Sequence, residues 1–216
     1  MSASTLSRRA MLATTGAGVM AAMSGVPAQA LDVPKPGAAA PEFTLNDSTG
    51  KPVTLASFKG TPVILEWTNH ECPYVRKHYG AGNMQELQRE AAAKGFAWLT
   101  VISSAPGTQG HVDGLEADQL TATRKAAPKA VLFDPTGVVG RRYGATATPN
   151  MYVIDKAGML IYMGAIDDKP STNPADIKGA NNYVRAAMTA VLAGSTPAVR
   201  STRAYGCSIK YAPVRS

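Results

Sequence analysis

The sequence predicts an α/β sandwich, with helices on both faces of a mixed central β-sheet and a β-hairpin at its N-terminal side. Three observations carry that prediction. Continuous apolar runs of strand length recur at 62–67 (PVILEW), 96–103 (FAWLTVIS) and 130–134 (AVLFD), the pattern of strands covered on both faces. Helix-compatible stretches separate them, and strands alternating with helices build layered sheets. The last two apolar runs, MYVID and MLIYMG, flank Lys156-Ala157-Gly158 and read as a hairpin.

At 216 residues the chain allows one domain with a core large enough not to need disulfides. Residues 1–30 stand apart. Arg8-Arg9, an Ala/Met/Gly/Thr stretch and Ala28-Gln29-Ala30 form an export signal with a small-x-small cleavage site, too short and glycine-rich for a membrane span. SRRAML resembles the twin-arginine signal, with Met11 where Phe is usual, and an ordinary export signal is the alternative. Either route implies a periplasmic or otherwise exported protein. Residues 31–41 (LDVPKPGAAAP) read as a tether, 42–195 as the domain and 196–216 as a tail.

Within the domain, Phe43 to Leu45 and Val53 to Leu55 alternate around a Ser-Thr-Gly turn and predict the entry hairpin. From Pro73 to Ala93 the chain reads as helical, with Gly80 and Gly82 inviting a kink or break. A polar helix is expected near 115–126, a short one from Val138 to Tyr143, and a longer one over 173–194 lying on the sheet. The tail is irregular and polar apart from Tyr205, Ile209 and Tyr211. Losing Arg8 and Arg9 with the signal lowers the net charge from +7 to +5, with no basic run to suggest nucleic acid.

The chemistry centres on Cys72. A strand ending at Trp67, a short loop and then Cys72-Pro73 place the sulfur at a helix N-terminus, where unsatisfied N–H groups and the helix dipole favour a thiolate. Arg76, Lys77 and His78 add positive charge within about a turn, and Glu71 opposes them. A thiolate is the nucleophile of disulfide exchange and of peroxide reduction. A Cys-x-x-Cys motif would need a second cysteine where Val75 stands; the only other cysteine is Cys207. In an oxidising compartment the two can pair, and Gly206 eases the return of the tail. A bridge closing a loop of 135 residues would stabilise the fold by roughly 5 kcal/mol in the chain-entropy model. A static staple is therefore one reading of the pair, and a redox couple the other.

Pro149 opens the MYVID strand, where an X-Pro bond can be cis. With that proline and Cys72-Pro73 in view, the chain resembles the thioredoxin-like superfamily and, within it, the redoxin (AhpC/TSA-like) domain. The resemblance spans roughly residues 33–195 and rests on the hairpin, VILEWTNHECPYV, AVLFDPTGVVGRRYGATATPNMYVID and GMLIYMGAIDD. It implies a thioredoxin-like three-layer sandwich, with a cis Thr148-Pro149 bond facing Cys72 and a substrate groove that Pro149 shapes. Pro73, Thr148 and Trp67 are the other expected groove residues, Trp67 being equally suited to core packing. Peroxiredoxins carry Pro-x-x-x-Thr-x-x-Cys, and here Leu65 and Asn69 occupy the proline and threonine positions. The chain is similar to a peroxiredoxin-like group with a single site Cys-Pro and a late GCSIKY.

The expected function is thus an exported thiol-disulfide oxidoreductase with Cys72 as nucleophile and Cys207 as resolving thiol. Its partners would be a protein or small-molecule disulfide, or a peroxide, and a thiol electron donor. Two alternatives remain: a thiol peroxidase using Cys72, and a non-catalytic binding or chaperone-like module with a structural Cys72–Cys207 disulfide. No cofactor is expected. Metal is not expected either, because the copper-delivering pattern Cys-x-x-x-Cys would need a cysteine where Arg76 stands. Asn69 and Glu71 could polarise a substrate or cap the helix.

Overall fold

A computed structural model describes Met1 and residues 33–214. The expected export signal apart from Met1, the first two residues of the predicted tether and the last two of the tail lie outside the described residues.

A seven-stranded mixed sheet runs in the order β2-β1-β5-β4-β3-β7-β8. Its members are β1 (Thr44–Asp47), β2 (Pro52–Thr54), β3 (Val63–Trp67), β4 (Ala97–Ile102), β5 (Ala130–Phe133), β7 (Asn150–Ile154) and β8 (Leu160–Gly164), and the two-residue β6 (Ala147–Thr148) stands outside it. The three strands read from continuous apolar runs, β3, β4 and β5, are the parallel centre; β7 joins β3 antiparallel and β1 joins β5 antiparallel. Parallel strands need crossovers, which α1 (Pro73–Gly80), α2 (Asn83–Ala93) and α3 (Gly114–Thr123) supply. The predicted hairpins are both present, β1–β2 and β7–β8.

Period-2 alternation along β3 sorts its side chains between two cores. Val63, Leu65 and Trp67 face one core, with Leu99, Tyr143 and Tyr152, closed by Val139 of α4 (Val138–Arg142). Ile64 faces the other with Cys72, Val75, Met84 and Leu87, closed by Val184 and Met188 of α5 (Tyr183–Leu192). Helices therefore lie on both faces, as expected.

Several boundaries sharpen or depart from the sequence reading. The helical stretch over 73–93 breaks where its glycines invite it: Gly82 takes the left-handed φ of 76° and the chain restarts at α2. The helix expected over 173–194 begins as a 3-10 turn, Pro174–Gly179, and becomes α-helical only after Asn182 caps it through Arg185 N–H. The described part of the tether is docked, not free: Gly37 N–H donates to Leu160 O at 2.7 Å, Ala40 N–H to Gly158 O at 2.9 Å, and Ala40 is buried. Likewise the tail contains β9 (Cys207–Ser208), paired antiparallel with β6.

Glu66 breaks the apolar run of β3 and is fully buried. Its carboxylate accepts from Trp98 Nε1 (2.9 Å), Tyr79 Oη (3.0 Å), Thr100 Oγ1 (3.2 Å) and Gln88 Nε2 (3.4 Å). Burial raises its pKa, and the hydrogen bonds from Trp98, Tyr79 and Thr100 oppose this without cancelling it. A raised carboxyl pKa means that the folded chain holds the proton more tightly. Stability linked to Glu66 is then fully present below the unfolded pKa, near 4.5, and is lost as pH rises through the folded value. We expect Glu66→Gln, which cannot titrate and leaves a donor facing donors, to cost about 1–3 kcal/mol in urea unfolding at acid pH. The deficit should shrink as pH rises; a pH-independent difference would refute the linkage.

Candidate active site

Cys72 is the N-cap of α1. The four residues after β3 form a tight turn in which Cys72 N–H donates to Asn69 O at 3.1 Å and Glu71 N–H to Asn69 Oδ1 at 2.9 Å. Pro73 follows in the first turn, where no N–H is needed, and it is exposed beside the site. The Cys72 side chain has 0% exposure. Its sulfur lies 3.1 Å from Thr148 O, at the cis Thr148-Pro149 bond.

The second cysteine comes from the tail. Cys207 is the register partner of Thr148, its N–H points at Cys72 Sγ at 3.4 Å, and its carbonyl accepts from Thr148 Oγ1 at 3.4 Å. Both cysteines are free thiols. Burial raises the Cys72 pKa, but the Cys207 thiol and the N–H groups of Val75 and Cys207 outweigh it, so the net shift is downward. The Val75 N–H does this without closing a cap hydrogen bond. Cys207 moves the other way, to about 11, through its own burial and then through Cys72, with Lys210 opposing. The two shifts run in opposite directions, which makes Cys72 the better thiolate of the pair.

The charges that sequence places around Cys72 are directed elsewhere. Glu71 Oε2 accepts from Gly110 N–H at 2.7 Å. Arg76 Nε donates to His70 O at 3.2 Å, as does Arg124 Nη2 at 3.1 Å. Lys77 is buried, its Nζ donating to Lys169 O at 2.9 Å. His78 is fully buried and bonds to Asn83 and Tyr205. Each of the four is thus bonded away from the sulfur, Glu71, Arg76 and Lys77 to loop backbone and His78 to Asn83 and the tail. Of the two placements expected for Trp67, groove or core, it takes the core: it points to the opposite face, donates to Ser103 Oγ at 3.0 Å and packs on Tyr143 and Tyr152. Asn69 is buried against Gly110 and organises the loop.

Sequence reasoning missed the clamp that positions the tail. Asn83 Nδ2 donates to His78 Nδ1 at 2.8 Å, so His78 Nε2–H donates to Tyr205 Oη at 3.2 Å, and Tyr205 Oη–H donates to Asp167 Oδ1. Asp167 Oδ2 stays without a hydrogen bond, 3.9 Å from His78 Nε2. Tyr205 also packs on Tyr74 and lies under Lys77 Nζ. The one visible signal was an aromatic two residues before a cysteine in an otherwise polar tail.

Comparison with known proteins agrees with this geometry. The AhpC/TSA family model matches residues 36–163. The thioredoxin-like protein YneN of Bacillus subtilis (strain 168) is 27% identical over 143 residues, covering 65% of this chain and 79% of its own. A hypothetical protein of Sinorhizobium meliloti 1021 superposes with a TM-score of 0.68 at 25% identity, covering 84% of this chain and 97% of that one. An uncharacterized conserved protein of Geobacillus kaustophilus gives a TM-score of 0.71 at 24% identity over 83% and 94% of the two chains, a likeness of fold. With a thioredoxin-like fold, a helix-capping cysteine and a cis threonine-proline bond facing it, this chain belongs to the AhpC/TSA family.

Proposed function

We propose that the protein is a thiol-disulfide oxidoreductase in which Cys72 is the nucleophile and Cys207 the resolving thiol. One observation carries the reading: Cys207 is held in register with Thr148, with its N–H on Cys72 Sγ. The Cys72 thiolate attacks one sulfur of a disulfide, forming a mixed disulfide and releasing the other half as a thiolate. Once Cys72 is in that bond it carries no negative charge, so its upward push on the Cys207 pKa disappears while Lys210 continues to lower it. Cys207 then attacks Cys72 Sγ, expelling the second thiol and leaving a Cys72–Cys207 disulfide. An external dithiol returns both to thiols.

A peroxidase reading draws on family membership. Against it, Leu65 and Asn69 stand at the positions of the peroxiredoxin proline and threonine, and Arg76 and Arg124 both donate to the His70 carbonyl instead of to the sulfur. The signal-like N-terminus motivates the further proposal that this chemistry takes place outside the cytoplasm.

Cys72→Ser should abolish turnover of a mixed disulfide substrate, whereas Cys207→Ser should allow one transfer and accumulate protein–substrate mixed disulfide, seen by mass spectrometry. Native Cys72–Cys207 protein should be reduced by dithiothreitol without denaturant; a bridge that opens only on unfolding would favour the structural staple. Cys207→Ala should shift the Cys72 titration upward in ultraviolet thiolate absorbance, and an unchanged curve would contradict the part given to Cys207 in lowering it. Burial, partly opposed by Asp167, lowers the His78 pKa from 6.5 to about 4. A depressed base pKa gives stability that is present above 6.5 and lost as pH falls through about 4. His78→Leu should remove that acid loss from the pH profile of urea midpoints.

A further inference from the structure

The nucleophile is sealed in this conformation. Cys72 has 0% exposure, and the cover is β9, the sole partner of β6 among the described residues. Two hydrogen bonds at that cover are long: Ile209 N–H to Thr146 O at 3.3 Å and Thr148 Oγ1 to Cys207 O at 3.4 Å. The mode for such bonds is about 2.9–3.0 Å. Firmer anchors flank the strand, with Ala105 N–H on Lys210 O and Tyr211 Oη on Ala145 O, both at 2.8 Å, and Tyr205 on Asp167. A cleft of about 640 Å³ runs along the strand, lined by Ala147, Asp167, Tyr183, Arg203 and Ser208.

We propose that residues 205–209 are a built-in competitor of the substrate. An extended peptide carrying a disulfide-bonded cysteine directly after a glycine replaces β9 on the Thr146–Thr148 edge, and Cys207 resolves by retaking that edge. The inference rests on the exchange chemistry proposed above.

Two observations specify the peptide. The vacated edge leaves the Thr146 carbonyl and the Thr148 hydroxyl without their tail partners, which suits strand addition by an extended backbone. Gly206, just before the cysteine, has φ 131°, and a Cβ there would meet Thr148 O at 1.9 Å and Thr148 C at 2.8 Å. A peptide in the same register meets the same backbone and needs glycine at that position. An aromatic residue one place earlier would take over the Tyr205 contacts with Tyr74, Lys77 and Asp167.

The chemistry then couples to strand exchange. The Cys72 thiolate attacks the peptide cysteine sulfur, forming one S–S bond while the old leaving group departs with the electron pair. Return of the tail brings the Cys207 thiolate onto Cys72 Sγ; a Cys72–Cys207 bond forms, and the peptide leaves as a thiolate that water protonates. An external dithiol gives two electrons and two protons to restore the pair. Resolution and product release are therefore one event, because one edge serves both strands.

The test uses the full chain and its Gly206→Ala and Tyr205→Ala variants, with dithiothreitol as donor. Substrates are a Tyr-Gly-Cys-Ser-Ile peptide and its Gly→Ala counterpart, each joined through cysteine to thionitrobenzoate, with the symmetric thionitrobenzoate disulfide as a small control. The glycine peptide should release thionitrobenzoate at least about tenfold faster than the alanine peptide. Both variants, whose tails seat poorly, should react faster than the unmodified chain with the glycine peptide. Their Cys72 should also alkylate faster with iodoacetamide, read by mass spectrometry while circular dichroism confirms folding. Equal rates for the two peptides, or folded variants no faster than the parent, would overturn the proposal while turnover of the small disulfide leaves exchange at Cys72 standing. Failure of Cys72-dependent release from every substrate would overturn both.

Discussion

The antiparallel pairing of Thr148 with Cys207 closes the site by placing one backbone segment where three things meet: the cis threonine-proline corner, the sulfur at the head of α1 and the returning tail. It supplies the N–H and the neighbouring thiol that hold the Cys72 pKa down. It also removes Cys72 from solvent. Only a glycine before Cys207 permits the approach, since any side chain there would overlap the Thr148 carbonyl.

Electrostatics in this site come from hydrogen bonds more than from nearby formal charges. Arg76, Lys77 and His78 follow Cys72 closely in sequence, yet successive positions on a helix point in different directions. Their charged or polar ends satisfy the carbonyls of His70 and Lys169 and the tail clamp. What remains at the sulfur is a small set of short-range donors in a desolvated pocket, where each counts for more than an exposed charge.

Two buried polar groups outside the sulfur pair organise the surrounding frame. Glu66 ties β3 to α1, α2 and β4 through Tyr79, Gln88, Trp98 and Thr100 beneath the helices that carry the site. The Asn83–His78–Tyr205–Asp167 chain ties α1 and the start of α2 to the tail. Each replaces part of an apolar core by directional bonds that a competing packing could not satisfy equally. The first holds the last turn of α1 and the middle of α2 against the sheet. The second sets where Cys207 can stand.

The sequence by itself determined the sheet, the two hairpins, the helix head at Cys72-Pro73 and Cys207 as the only other cysteine, because strand-length apolar runs, turn residues and cysteine count act locally or by elimination. Glu66 was also visible as a charge inside PVILEW, although its partners were not. Tertiary structure alone decided that Trp67 faces away from Cys72, that Arg76 and Lys77 serve other carbonyls, that residues 36–41 dock on β8, and that Tyr205 and Gly206 seat the tail. The reason is range: a side chain's direction and its partner across 76 or 135 residues of chain depend on sheet alternation, helix rotation and close backbone approach, which exist only once the chain is packed.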